Sequence, residues 1–217
     1  MAYETPPAER IVHAALPQRR AAGGVTLLET FIILASCRIV NAARIFEIGT
    51  FLGNTTLNLA LNVPEHGRIF TLDLDEAGAT HIQQDTADAP LTEVHLAYQT
   101  SLDFFDTPVA HKVEILVGNS TTFDFSPWEG SIDAVYIDGG HDARTLRCDT
   151  ENALRLVRPN RASCILWHDF GNRDYEGLTH YLNELSRSMN IFHIEDTMLC
   201  VWFNDPRNCI LPLLGNG

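Results

Sequence analysis

The stretch Arg44-Ile45-Phe46-Glu47-Ile48-Gly49-Thr50-Phe51-Leu52-Gly53-Asn54-Thr55-Thr56 decides the fold. An apolar run ends in an acid, turns through Gly49 and Gly53 and enters a run with helical spacing, the way an α/β sheet opens a nucleotide-sized crevice at its carboxyl edge. A dinucleotide fingerprint needs a second glycine where this chain has Phe51 and a third where it has Asn54, so close approach to a pyrophosphate is poorly supported. Glu47 points the same way: a carboxylate repels phosphate and attracts a cationic ligand end.

Outward from this loop, strand and helix signals alternate. Thr26-Leu27-Leu28-Glu29 has the spacing of a capping box and predicts a helix over 26–40 that leads into a strand at 44–48. A helix at 54–62, a strand at 68–73, a helix near 76–86 and strands at 113–118 and 132–137 follow, then a helix at 142–157, a strand at 162–167 and a helix near 174–188. The end differs. Asn190 to Glu195 and Met198 to Phe203 read as strands separated only by Asp196-Thr197, too short for a crossover, so they must form an antiparallel hairpin. The expected class is α/β: a doubly wound, seven-stranded, mostly parallel sheet with a C-terminal antiparallel hairpin.

The 217 residues suit one such domain, with 45% hydrophobic and 20% charged residues. A formal net charge of −13 disfavours nucleic acid and anionic membranes as partners and points to a small-molecule substrate. The five cysteines are an odd number, widely spaced and without a CxxC, so neither a disulfide framework nor a thiolate zinc site is indicated. Residues 1–20 lack the apolar core of a secretory signal, and the longest apolar stretch, 26–40, carries Glu29 and Arg38 and is too short to span a bilayer. A soluble cytoplasmic protein is expected.

A mostly parallel sheet whose last strand runs backwards resembles the class I S-adenosylmethionine-dependent methyltransferases, with their Rossmann-like fold. The resemblance covers about residues 26–204. It is carried by Glu47 to Thr55, Leu72-Asp73-Leu74-Asp75, Val117-Gly118-Asn119-Ser120, Ile137-Asp138-Gly139-Gly140-His141 and Trp167-His168-Asp169-Phe170. The glycine loop is similar to that of catechol and caffeoyl-CoA O-methyltransferases. The DGGH and HD pieces are similar to small bacterial enzymes that modify sugars and natural products. The resemblance implies S-adenosyl-L-methionine as cofactor, bound by Glu47, Gly49, Thr50, Gly53, Asn54, Asp73, Asn119, Ser120 and Asp138. Asp73, a carboxylate after the second strand, is implied as the ribose ligand, and Asn119-Ser120 as the adenine contact, where relatives often carry an acid before the serine.

Transfer of a methyl group to a hydroxyl requires alignment and a deprotonated acceptor. Two routes stand open. In the metal-dependent relatives an acid after strand four and an acidic or amide pair after strand five hold Mg²⁺, which implies Asp138, His168 and Asp169 here. A histidine in such a set shifts preference from Mg²⁺ toward Mn²⁺, Fe²⁺ or Zn²⁺, or is no ligand. The other route is metal-free, with His141 or His168 as general base. Asp138, His141 and His168 are thus the catalytic candidates. A silent fold-mate that only binds cofactor is the alternative outside catalysis.

Two domains of use are expected: an N-terminal extension at 1–25 as a lid, and the methyltransferase domain at 26–217. The irregular stretch 87–111, with Tyr98 and Phe104-Phe105, is a second lid candidate, and Trp128 a candidate for the same wall. The apolar tail Ile210 to Leu214 is suited either to cover its own domain or to pack on a second subunit of a homodimer.

Overall fold

Thr26 and Glu29 start the first helix as a reciprocal cap. The Glu29 N–H donates to Thr26 Oγ1 at 3.2 Å, and the Thr26 N–H donates to Glu29 Oε2 at 2.9 Å, opening α1 (Leu27–Ile39). The other Glu29 oxygen accepts the Met198 N–H at 2.9 Å, which ties the helix start to the C-terminal hairpin. The computed structural model describes residues 12–17, 23–80 and 88–204. The part of the expected 76–86 helix beyond residue 80, most of the N-terminal lid and the tail Ile210 to Leu214 lie outside the described residues.

The strands are β1 (Arg44–Ile48), β2 (Arg68–Asp73), β3 (Val113–Val117), β4 (Ala134–Ile137), β5 (Cys164–Trp167), β6 (Phe192–His193) and β7 (Cys200–Phe203). They form one sheet of order β3-β2-β1-β4-β5-β7-β6, in which only β7 runs against its neighbours. The expected architecture is therefore present. The order reverses between β1 and β4, and in open α/β sheets the ligand crevice lies outside the carboxyl ends at such a reversal. The connecting helices are α2 (Asn54–Asn62), α3 (Glu76–Thr80), α4 (Ala89–Tyr98), α5 (Ala143–Leu156) and α6 (Glu176–Leu185).

Side chains alternate along each strand and feed two cores. Phe46, Ile48, Val135, Ile137, Ile165 and Trp167 pack with Leu146 of α5 and Leu178 of α6. Ile45, Ile69, Tyr136 and Leu166 face the other way, against Ile33 and Leu34 of α1 and Leu59 of α2. The continuous apolar runs of the central strands follow from burial on both faces.

Glu47 shares the second face and is fully buried. Its Oε2 accepts hydroxyl bonds from Thr56 of α2 and Thr71 of β2, each at 2.5 Å, and Thr71 meets Thr50 at 2.6 Å. Burial pushes the carboxyl up to about 8, against the pull of the two threonines. Glu47 is therefore a neutral core group near pH 7, and it joins β1, β2 and α2.

Two expectations on organisation need correction. The stretch 87–111 contains α4, a ten-residue helix with Pro90 in its first turn, a position that tolerates proline because the first N–H groups have no helical partner. Within it Phe104 is no lid residue: it is 2% exposed and packs with Leu57 and Leu102. Trp128 packs edge-on against Phe46 and Phe70 in the core layer. The hairpin strands are also shorter than expected, because the connection spans residues 194–199 with Asp196 in a left-handed conformation.

The buried Glu47 carboxyl makes stability depend on pH. Its folded pKa of about 8 lies above the ordinary 4.5, so the stability it contributes when neutral is lost as pH rises from about 4.5 to about 8. Glu47→Gln does not titrate. The melting temperature of this variant relative to wild type is expected to climb between about pH 5 and about pH 9. A difference that stays flat across a fluorimetric pH series would contradict the buried titration.

Candidate functional site

A cleft of about 740 Å³ lies at the carboxyl edge of β1, β2, β3, β4 and β5. Of the residues expected there, Gly49, Asp73, Asn119, Ser120, Asp138, His141 and Asp169 line it. Glu47, Thr50, Gly53, Asn54 and His168 do not.

Each of those five has a physical reason for its place. Glu47 is turned into the core, and its neutral form carries no charge to attract an amine. Thr50 is buried; its hydroxyl meets Thr71, and its N–H donates to Asp73 Oδ2 at 2.8 Å. Gly53 sits at φ +80° ahead of α2, where a Cβ would press on the Phe104 ring at 2.8 Å, so it serves packing. Asn54 reaches toward Asp103 at 3.5 Å and accepts from Asn58. Gly49 does line the cleft, but its need for glycine comes from the neighbouring strand end: at φ +101° a Cβ would overlap the carbonyl oxygen of Asp138, the residue after β4.

Asp73 anchors the loop. Its Oδ2 accepts the N–H groups of Thr50 and Phe51 at 2.8 and 2.9 Å, and Oδ1 accepts that of Leu74 at 2.7 Å. A carboxylate oxygen has two lone pairs, so Oδ1 retains acceptor capacity toward the cleft. Phe51, standing where a dinucleotide loop has glycine, takes φ +49°. His95 of α4 supports this turn, with Nδ1 2.7 Å from the Phe51 carbonyl oxygen and Nε2 3.1 Å from that of Leu74. Asn119 folds back on its own turn, accepting from the Thr121 N–H and hydroxyl at 2.9 and 2.8 Å.

The opposite end of the cleft holds a charge cluster. Asp138 Oδ2 accepts the Tyr136 hydroxyl at 2.9 Å, and Oδ1 lies 3.3 Å from His168 Nδ1. Asp169, at φ +62°, uses Oδ2 for His141 Nε2 at 2.9 Å and His168 Nδ1 at 3.1 Å, and Oδ1 for the Asn172 amide at 2.7 Å. A non-glycine residue in this backbone region is strained, and three side-chain bonds hold it there. Burial acts to raise its pKa, but His141 and His168 bring it far below the carboxylate range.

The two histidines have different places. His168 is 4% exposed, behind the cleft, with Nε2 3.5 Å from Glu29 Oε1. Burial acts to lower its pKa, but Asp138, Asp169 and Glu29 raise it far above the ordinary value, so the ring is an imidazolium. His168 lies behind the cleft lining, with both ring nitrogens turned toward carboxylates of the protein. His141 is the ring that faces the cleft. Its Nδ1 lies 2.7 Å from Asp88 Oδ1, and Tyr175 stacks on it at 3.9 Å and 8°. Despite burial, Asp169 and Asp88 hold its pKa up to about 10. Asp138, His141 and Asp169 offer donor atoms within 4.8 Å of one another, a span that one cation with bonds of about 2.1 Å bridges after slight closure. His141, where the sequence pointed to His168, completes this group of donor atoms.

Sequence reasoning missed Asp88, His95, Asn172 and Tyr175. Asp88 and His95 arrive on α4, and Pro90 was the one available sign of a helix start there. Nothing local marks Asn172 or Tyr175, which meet the cluster only through the turn after β5. No helix among the described residues is long and apolar enough to cross a membrane.

Comparison with known proteins agrees with this architecture. Tapetum-specific methyltransferase 1 of Arabidopsis thaliana is 40% identical over 55 residues, which is 25% of this chain and 24% of that protein. A protein of Arabidopsis thaliana provisionally named a caffeoyl-CoA O-methyltransferase is 26% identical over 163 residues, 72% of this chain and 61% of the relative. The chain thus spans less than two thirds of either relative. The O-methyltransferase TomG of Streptomyces achromogenes, solved with S-adenosylmethionine and involved in tomaymycin synthesis, superposes with a TM-score of 0.52 at 18% identity over 82% of this chain and 81% of its own. A family model described as a methyltransferase domain matches residues 46–170, more than half of the chain, and with the sheet order and terminal hairpin above, the chain belongs to that methyltransferase family.

Proposed function

We propose that the protein is an S-adenosyl-L-methionine-dependent methyltransferase that methylates a hydroxyl of a small metabolite, assisted by a divalent cation. The observation that carries this reading is one cleft with a carboxylate suited to a ribose at one end, Asp73, and the Asp138, His141 and Asp169 group at the other. Family membership and the cofactor in the TomG structure support the cofactor choice.

The chain's own groups have separable roles. Asp73 accepts from the ribose diol with the free lone pair of Oδ1, while Gly49, Asn119 and Ser120 border the rest of the cofactor. Asp138, His141 and Asp169 would hold a divalent cation such as Mn²⁺ or Mg²⁺, whose contribution when bound is to stabilise the acceptor as alkoxide or phenolate. His168 stays protonated behind them and offsets part of the carboxylate charge. Asp88 holds Nδ1 of His141, the usual outer support of a ligating histidine, so that Nε2, which faces Asp169 at 2.9 Å, is the atom that would turn to a cation shared with that carboxylate. In the metal-free alternative His141 itself takes the acceptor proton. A pKa of about 10 disfavours that role at neutral pH until Asp169 or Asp88 is drawn away.

Asp73→Ala should weaken S-adenosylhomocysteine binding at least about 10-fold by calorimetry, the loss expected for charge-assisted bonds. Unchanged affinity would remove the ribose role. A radiolabelled methyl-transfer screen over phenols, sugars and amino-acid derivatives, run after chelation and after adding back Mg²⁺ or Mn²⁺, should give activity that depends on the added ion. Full turnover after exhaustive chelation would sink the cation, and no turnover on any acceptor despite cofactor binding would favour a silent fold-mate. Mn²⁺ binding followed by paramagnetic resonance should fall at least about 10-fold in His141→Ala, the loss of one direct ligand. Wild-type Mn²⁺ affinity in that variant would return the donor set to His168.

A further inference from the structure

Two peptide groups at the Asp73 end of the cleft are held from both sides. The N–H groups of Phe51 and Leu74 donate to the Asp73 carboxylate at 2.9 and 2.7 Å. The carbonyl oxygens of the same two residues face the His95 ring, that of Phe51 at 2.7 Å from Nδ1 and that of Leu74 at 3.1 Å from Nε2. His95 Nδ1 also stands 3.6 Å from Asp73 Oδ2. Phe51, Asp73, Leu74 and His95 all line the cleft.

His95 is the one buried side chain of α4. A carbonyl oxygen only accepts hydrogen bonds, and a neutral imidazole donates through one nitrogen only. A neutral ring would therefore turn a lone pair toward one of the two carbonyl oxygens, a buried mismatch that costs free energy. Both contacts are satisfied when both nitrogens carry protons, and the Asp73 carboxylate balances the resulting charge. Among the described residues Asp73 is the charged group that faces the ring; the loop after β1 and the turn after β2 present Phe51 and Leu74, which do not titrate.

We propose that His95 is a positioning residue of the cofactor site that works as an imidazolium, clamping the carbonyls of Phe51 and Leu74 while Asp73 clamps their N–H groups. The clamp joins the loop after β1 to the end of β2. It holds Phe51 at φ +49°, a backbone region that is costly for a residue other than glycine. It thereby fixes the direction in which Asp73 Oδ1 meets the cleft. Loss of one ring proton releases one carbonyl, and the loop relaxes away from the geometry that receives the ribose. The inference rests on the S-adenosyl reading of the cleft and adds to it the group that sets the loop, together with a pH dependence of cofactor affinity.

Calorimetry with S-adenosylhomocysteine across a pH series tests it. Wild-type affinity should fall about 5- to 10-fold as pH rises from about 6 to about 9, the effect of one hydrogen bond lost when an imidazole gives up a proton. Burial holds the Glu47 carboxyl up to about 8 and that of Asp149 up to about 7, so both ionise in the same range. The series is therefore repeated in His95→Gln, whose amide donates but does not titrate. This variant should bind about 5- to 10-fold more weakly than wild type at about pH 6 and show a flatter profile. A fall of wild-type size in His95→Gln belongs to a carboxyl and overturns the proposal, as does a flat wild-type profile. Proton resonance of the wild-type complex at about pH 6 carries the test if the variant fails to fold: both His95 ring N–H signals should be visible and slow to exchange. A single such signal overturns the clamp while leaving the cofactor reading intact. A wild-type protein that binds no S-adenosylhomocysteine at any pH overturns both.

Discussion

A buried imidazolium surrounded by carboxylates organises this molecule. His168 follows the last residue of β5 and lies 3.1 Å from Asp169, 3.3 Å from Asp138 and 3.5 Å from Glu29. Through Asp138 it reaches the end of β4. Through Glu29 it reaches the first turn of α1 and, by the Met198 N–H, the hairpin. Removing the cation would leave three carboxylates facing one another in a poorly solvated space, where unpaired charge is costly. The same interaction closes one layer of the fold and aims two acids at the cleft, so stability and site geometry share one source.

The second device is strain held by hydrogen bonds. Phe51 and Asp169 both take positive φ angles without being glycine, and both line the cleft. Phe51 is held by the carboxylate of Asp73 under its N–H and by His95 on its carbonyl oxygen; Asp169 is held through its own carboxylate. α4 supports both ends, with His95 at the loop and Asp88 at His141. Side chains from one short helix therefore border both halves of the site. Loop segments carry the chemistry here, while the strands that position them are packed on both faces.

The fold was legible because its signals are local and mutually consistent. The Thr26 and Glu29 cap, the strand at 44–48, the glycine turn and the short connection before Met198 each need only a few neighbouring residues to be read. α4 was not legible, since an early proline and a weak apolar pattern over 89–98 resemble a loop. Asp73, Asp138, His141 and Asp169 were legible as chemistry at strand ends, where an open α/β sheet places ligands.

What the sequence determined by itself was thus the sheet, its order of elements, the reversal that opens a crevice and the set of polar residues brought near it. Which of those residues face the crevice was decided only in three dimensions. Glu47 stands in the middle of the motif, yet the alternation of β1 turns it against Thr56 and Thr71, and burial takes its charge away. His168 and His141 are equivalent as residue types, but one is enclosed by three carboxylates and the other lies on the cleft wall beside Tyr175. Asp88 gains its place from the start of α4, which brings its carboxylate to His141. Charge state, burial and direction depend on neighbours distant in the chain, and pattern along the chain does not encode them.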